Sequence, residues 1–297
     1  MKKKIMRHWQ LYFIILLPLI YLFVFRYMPM LGSQIAFRNY NFKDGPWNSP
    51  WCGLDNFKKF FQSPQFGRVL TNTLGLSVYN ILASMFPPVI LALALSYVKN
   101  RFLSKTVQMV TYMPYFISTV LVVGILSQIF SLTGPVNTFL AAIGCDKIQF
   151  MGDPKLFKSM YVFSGIWQST GYNAVIYISA LASVDQQLHE AARVDGANIW
   201  QRIWYVDIPG IMPTAIILLI MSCGSILSIG YEKVLLMQND LNMAASDIIS
   251  TYVYRIGLQS MQYSYSTAIG LFQSVVSLIL LLFVNTVAKR TGESSLW

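Results

Sequence analysis

The chain has 297 residues, of which 55% are hydrophobic and 11% charged, with a mean hydropathy of +0.51 and a formal net charge of +10. That balance excludes a water-soluble globular enzyme, a disulfide-built scaffold and a disordered tail, and it describes a chain that lives in a bilayer. Apolar runs at 11–30, 72–96, 107–130, 159–182, 210–231 and 266–288 cover 138 residues and hold one charged side chain, Arg26. Each run is long enough to cross a membrane as a helix. The expected fold is therefore all-α, a polytopic membrane protein with six transmembrane helices in a single domain over 1–297.

The start, MKKKIMRHWQ followed by about 20 apolar residues, has the look of a signal peptide. It contains Pro18 and ends in RYMPMLG with no small-x-small cleavage site, so it is expected to remain as the first membrane helix. Segments 1–10, 97–106, 183–209 and 289–297 carry 11 basic residues in 56 positions, against 10 in 103 for the three opposite loops. The clusters Lys2, Lys3, Lys4 and Arg7, then Lys99, Arg101 and Lys105, then Lys289 and Arg290 abut helix ends, where the bias toward the cytoplasm is strongest. Both termini are expected in the cytoplasm. The first outward loop, with Trp47, Trp51 and prolines and glycines within 45–53, reads as an irregular outer cap. Cys52 and Cys145 fall in outward loops and Cys223 in a helix; a Cys52 to Cys145 bridge is allowed by topology but not required.

Pro18, Pro87, Pro88 and Pro114 are expected to mark kinks, because a proline in a membrane helix leaves a carbonyl that a neighbour has to cover. The fourth helix holds Trp167, Gln168, Ser169, Thr170, Gly171, Tyr172 and Asn173 in its interior. These residues serve either helix-to-helix bonding with close packing at Gly171, or the lining of a polar solute path. The fifth helix carries Ser222, Gly224, Ser225, Ser228 and Gly230, then Tyr231 and Glu232 at its outer end, with Lys233 beside Glu232 as a solvated partner. In the loop 232–265, Ile248, Ile249, Tyr252, Val253 and Ile256 recur at helical spacing, which suggests a short amphipathic helix at the outer interface. His8 and His189 have no second ligand at metal-binding spacing, and no catalytic constellation is evident, so neither metal site nor enzyme activity is expected.

Loop 183–209, SVDQQLHEAARVDGANIWQRIWYVDIP, is far longer than a connection between antiparallel helices needs. Ser183 or Asp185 can cap a helix with Leu188, Ala191 and Ala192 on one face. Gly196 turns the chain, and Ile199, Trp200, Ile203 and Trp204 form a second face before Pro209 ends it. The reading is two short helices, one small-faced and bearing Glu190 to enter a groove on a cytoplasmic partner, the other Trp-rich and anchoring the pair.

Glu190, Ala191, Ala192, then Gly196, then Val206, Asp207, Ile208 and Pro209 resemble the EAA loop of ATP-binding-cassette importer permeases, EAA-x3-G-x9-I-x-L-P, with the Ile and Leu each replaced by another branched aliphatic. Asp195 and Ala197 around the glycine resemble the carbohydrate group. The segments YEKVLLMQND, DIISTYVYRIGLQSMQYSYSTAIGLF and NTVAKRTGESSLW are similar to maltose-transporter-like permeases that serve plant-polysaccharide fragments.

The resemblance implies a type I importer permease in a bacterial cytoplasmic membrane, carrying a sugar, most simply an oligosaccharide. Its implied partners are a second homologous permease, an ATPase subunit dimer that binds ATP and Mg, and an extracellular solute-binding lipoprotein, with no nucleic acid. It also implies coupling roles for Glu190, Ala191, Ala192, Asp195, Gly196 and Pro209. The chain has no phosphate loop of its own, so no cofactor is expected in it. For a sugar path, Trp167, Gln168, Tyr172, Asn173, Tyr231 and Glu232 are the candidate contacts, because rings and amides suit sugar faces and hydroxyls. The alternatives are an importer of another polar solute, such as an amino acid or phosphate, or a polytopic channel, which would leave the long loop unexplained.

Overall fold

The computed structural model describes residues 9–290, and every described regular element is a helix. The basic cluster of Lys2, Lys3, Lys4 and Arg7, His8, and the tail from 291 onward lie outside the described residues. Where the sequence suggests one domain over 1–297, contacts gather into two compact units, Met1–Phe66 with Val253–Phe272, and Gly67–Tyr252 with Gln273–Trp297.

In the first unit, α1 (Trp9–Leu22) passes through Pro18 and continues in a π-helical turn, Phe23–Tyr27, just before Pro29. The widened turn makes room for a residue that has no N–H to give back to the helix. No residue of α1 is buried, which suits a surface that meets lipid or another chain. The loop that follows is more ordered than its composition suggests: Phe37 stacks on Trp51 at 5.6 Å, and Phe60, fully buried, packs edge-on against Phe66 and Phe272.

In the second unit, α2 (Pro64–Tyr97) runs unbroken through Pro87 and Pro88 for 34 residues. Among the described residues, four helices are long and apolar enough to cross a membrane, Trp9–Phe37, Pro64–Tyr97, Ile199–Gly224 and Tyr263–Arg290, and a fifth is counted if a bent pair is one span. The bent pair replaces the straight run expected at 107–130. α3 (Arg101–Tyr112), capped by Asn100, leads through a 3-10 turn at Met113–Phe116 into α4 (Thr119–Ile129), and the two helices are bent by 98°. Pro114 starts the break, and Ser118 caps the new helix by accepting from the Leu121 amide.

The broken backbone is held by α5 (Pro154–Ala182), 29 residues long. Gln168 Nε2 donates to the Ile117 carbonyl at 2.9 Å, and Tyr172 stacks on Tyr115 with centroids 3.9 Å apart and planes 4° apart. A Cβ on Gly171 would stand 2.1 Å from the Thr111 carbonyl oxygen, so only glycine permits this approach. Ser169 and Thr170 return their hydroxyls to carbonyls of their own helix. Half of the polar run 168–173, namely Gln168, Gly171 and Tyr172, thus serves helix pairing, as membrane packing requires when backbone is freed.

Two apolar clusters form the interior of this unit. One gathers Leu76, Val123, Phe157, Tyr161, Val162, Val234, Met237 and Ile248; the other Ala92, Ala174, Tyr177, Ile211 and Ala215. The loop 232–265 does form a short helix at the expected spacing, Ile249–Tyr254 continued by a π turn at Arg255–Gln259, but its Ile249 and Tyr252 are buried, and Val234, Met237 and Ile248 of the same loop join the first cluster. Ile248 and Ile249 are fully buried, α9 (Ile249–Tyr254) is short, and Asn72 Nδ2 donates to the Ala244 carbonyl at 2.8 Å. Arg68 pairs with buried Asp247 at 3.2 Å. The apolar spacing was legible, but the buried polar partners Asn72 and Thr73 on α2 turn that face inward. Cys52, Cys145 and Cys223 are free.

Replacing Gly171 by alanine forces Cβ into backbone on the facing helix, and a clash that cannot be relieved by a rotamer costs about 1–3 kcal/mol. Thermal unfolding of the purified protein in detergent should show a lower midpoint for Gly171→Ala. Gly124→Ala, where nothing lies within 4 Å, should not lower it.

Candidate functional site

Two places in the second unit concentrate chemistry. The first is loop 183–209. Asp185 accepts from the Gln187 amide and starts α6 (Gln186–Val194), as the sequence indicated. The helix closes with Gly196 at φ +76, its amide bonding the Arg193 carbonyl while the Ala197 amide bonds the Ala192 carbonyl at 2.8 Å. This pair of bonds is the Schellman closure, and the left-handed residue at its centre favours glycine. Asn198 and Gln201 then cap each other reciprocally.

The second half of the loop differs from expectation. Ile199–Arg202 passes through a π turn at Ile203–Asp207 straight into α7 (Ile208–Gly224), so Pro209 ends no helix; the π turn absorbs it. Trp200 and Trp204 are 78% and 67% exposed and do not anchor the loop. The anchor is Asp207, a residue whose role sequence reasoning missed. It is 3% exposed, accepts from the Tyr97 hydroxyl at 2.7 Å, and faces His189 Nε2 at 3.4 Å. Arg202 lies over the Tyr97 ring at 5.3 Å. A single carboxylate thereby ties the end of α2, the middle of α6 and the start of α7. Gly210, where a Cβ would come within 2.5 Å of Val184, closes the base of the loop.

Glu190, Ala191, Asp195 and Gly196 are exposed and Ala192 partly so, and Glu190 makes no hydrogen bond or ion pair among the described residues. Leu188, Val194 and Trp200 of the same loop are exposed as well. α6 is thus a short helix, tied at its base through Asp207 and Gly210, that presents a carboxylate with no partner among the described residues.

The second place is a pair of cavities sharing Ile81, Ser84 and Ser222. One, about 240 Å³, is walled by Ser77, Asn80, Tyr161, Ser225, Ser228 and Gly230. The other, about 150 Å³, is walled by Met85, Pro88, Asn173, Tyr177 and Ala215. The serines reach the first cavity because α7 ends at Gly224. Ser225, Ser228 and Gly230 form a non-helical turn before α8 (Tyr231–Met237), where a longer fifth helix was expected. Gln273 Nε2 covers the freed Leu227 carbonyl, and Ser77 donates to the Ile226 carbonyl.

Of the six path residues suggested by the sequence, Asn173 lines one of these two cavities and the other five line neither. Gln168 and Tyr172 are engaged with the broken helix, Trp167 is 53% exposed, and Tyr231 and Glu232 are exposed on α8.

Glu232 is not paired with Lys233. Lys233 turns inward on α8, outside the spanning helices, is 8% exposed, and burial pushes its ammonium from the ordinary lysine value down to about 8. Nor is Arg26 the only cation near a span: α5 begins at Pro154 and so includes Lys155 and Lys158.

The sequence pattern of the binding-protein-dependent transport system inner membrane components matches residues 75–293. The chain belongs to that family. The permease is 41% identical to Protein LplB of Bacillus subtilis (strain 168), across 97% of this chain and 91% of that one. It is 38% identical to the polygalacturonan/rhamnogalacturonan transport system permease protein YteP of the same organism, across 99% and 92%. A crystal structure of a bacterial ATP-binding-cassette transporter involved in import of the acidic polysaccharide alginate matches with a TM-score of 0.90 and 39% identity, over 97% of this chain and 98% of that one. The fold is that of a type I importer permease, a multi-pass membrane subunit.

Asp207→Ala removes the acceptor shared by Tyr97 and His189, and a buried hydroxyl left unpaired costs about 1–3 kcal/mol. Limited proteolysis should cut the loop between 183 and 200 faster in this variant, with Asp207→Asn intermediate.

Proposed function

We propose that this permease imports an oligosaccharide released from an acidic polysaccharide, and that ATP hydrolysis occurs in a separate ATPase dimer docked on loop 183–209. The observation that carries the reading is Glu190, an unpaired carboxylate on a helix whose base is locked to three elements through Asp207. Such a helix transmits displacement because it cannot swing independently of α2 and α7. Glu190 offers a charged contact to a basic residue of the ATPase, Ala191 and Ala192 a close-fitting face, Gly196 the turn, and Asp195 a second exposed acid.

The loop and both termini then face the cytoplasm, in keeping with the basic clusters flanking the helices. A second permease completes the path, for which the wholly exposed apolar α1 is one available surface, and an extracellular binding protein delivers the sugar. ATP and Mg belong to the ATPase. Closure of the ATPase dimer would shift α6 and, through Asp207, α2 and α7, exposing the serine-lined cavity to one side and then the other.

The substrate class rests on the relatives. One is named for polygalacturonan and rhamnogalacturonan transport. One matching structure is of an alginate transporter in complex with an alginate pentasaccharide-bound periplasmic protein, with a TM-score of 0.91 and 38% identity over 99% of both chains. The cavity suits a sugar, with serine hydroxyls, the Asn80 and Asn173 amides and the Tyr161 ring.

Affinity purification of the tagged chain from cells grown on pectin fragments should recover a second permease, an ATPase and a solute-binding protein. Glu190→Ala should insert normally and lower sugar uptake at least about tenfold, the loss of one charged interface contact of roughly 1.4 kcal/mol or more. Normal uptake with the alanine in place would remove Glu190 from the coupling role.

A further inference from the structure

The wall of the larger cavity is backed by a cation with no anion. Lys233 Nζ donates to the Tyr161 carbonyl at 2.9 Å and stands 4.8 Å from the centroid of the Tyr161 ring. No described carboxylate pairs with it: Asp247 is committed to Arg68, Asp207 lies at the loop end of α7, and Glu232 is exposed on the other side of α8. An ammonium withdrawn from water without a counter-charge costs several kcal/mol, and apolar replacements of buried charges often stabilise a fold. Packing alone is therefore a poor reason for a lysine here. One backbone carbonyl and one ring face occupy two of its three N–H donors.

Gly165 faces the ammonium, and a Cβ there would come within 3.3 Å of Nζ. Tyr161, the residue Lys233 grips, lines the cavity together with Gly230, three positions before Lys233, and the Tyr161 hydroxyl lies against Gly230. One turn before Tyr161 on the same face of α5, Lys158 is half-buried against Gly75 of α2 and has no ion pair among the described residues. Two cations without carboxylates thus lie on the face of α5 that carries the cavity wall.

We propose that Lys233, assisted by Lys158, is the element of the path that recognises anionic sugars, taking the carboxylate of a uronate unit as it passes Tyr161. This rests on the oligosaccharide-import reading above. The uronate supplies the partner that the fold withholds, a charge-assisted bond in a poorly hydrated site. A neutral sugar of equal size leaves the lysine as unpaired as before and gains nothing from it. Selectivity then comes from this contact and not from cavity shape.

The test uses the complete transporter with its binding protein in proteoliposomes, and measures uptake of trigalacturonate and of its neutral methyl ester. Lys233→Met should lower trigalacturonate uptake about tenfold, one unit of log affinity, and change methyl-ester uptake less than about twofold. Lys233→Arg should retain most of the acid uptake, and Lys158→Met should give a smaller selective loss. Equal loss of both sugars in Lys233→Met, or undiminished acid uptake, overturns the proposal. If the wild type imports only the acid, the decision rests on Lys233→Arg: rescue supports a charge role, and failure to rescue overturns it. Uptake of neither sugar by the wild-type complex is a separate outcome that overturns the oligosaccharide reading, and this proposal with it.

Discussion

A chain in hydrocarbon has to satisfy each backbone amide and carbonyl from within the protein, because no water is present to do it. Several irregularities among the described residues sit where a side chain, a neighbouring helix or a widened turn meets that demand. The 98° break around Pro114 is covered by Gln168 and by the close approach at Gly171. The early end of α7 is covered by Gln273 and Ser77. Pro29 and Pro209 are each preceded by a π turn that accommodates the missing N–H without breaking the helix. Function follows the irregularities: the break at α7 opens a serine-lined cavity, and the π turn before Pro209 places Asp207 between three elements.

The loop and the cavity are joined by two of the same helices. α2 contributes Tyr97 to the Asp207 node and Ser77, Asn80 and Ser84 to the cavity wall, while α7 begins at the node and ends at the cavity. Under the proposed coupling, a displacement of α6 would reach the cavity through helices α2 and α7 rather than through a flexible chain. Packing at Gly210 and the close-packed second apolar cluster leave little slack along the way.

Charge is distributed with equal economy. Asp247 and Asp207, the buried acids named in these networks, have basic or hydroxyl partners and organise structure. Among the described residues, Glu190 is exposed on the loop without an ion pair, and Lys233 and Lys158 lie without a carboxylate partner behind the cavity. Free charge in a membrane protein is costly, so it gathers where another molecule completes it.

Much of this was legible in the sequence. Hydropathy marked the membrane segments, the loop 183–209 showed a short helix with Ser183 or Asp185 as its cap and Gly196 as its turn, and the small residue at 171 marked a close contact. These are local properties: transfer free energy summed along a window, capping and backbone conformational preference depend on neighbours in the chain. What only the tertiary structure decided is which polar group meets which. Gln168 and Tyr172 look like sugar contacts in a linear reading, but the facing helix is broken and consumes them. Lys233 looks like a solvated partner of Glu232, but adjacent residues on a helix point about 100° apart, which sends one outward and the other against Tyr161. Asp207 reads as an unremarkable position in the motif until Tyr97 and His189, 110 and 18 residues away in the chain, converge on it. Pairings across such separations depend on how helices pack, and sequence periodicity does not encode them.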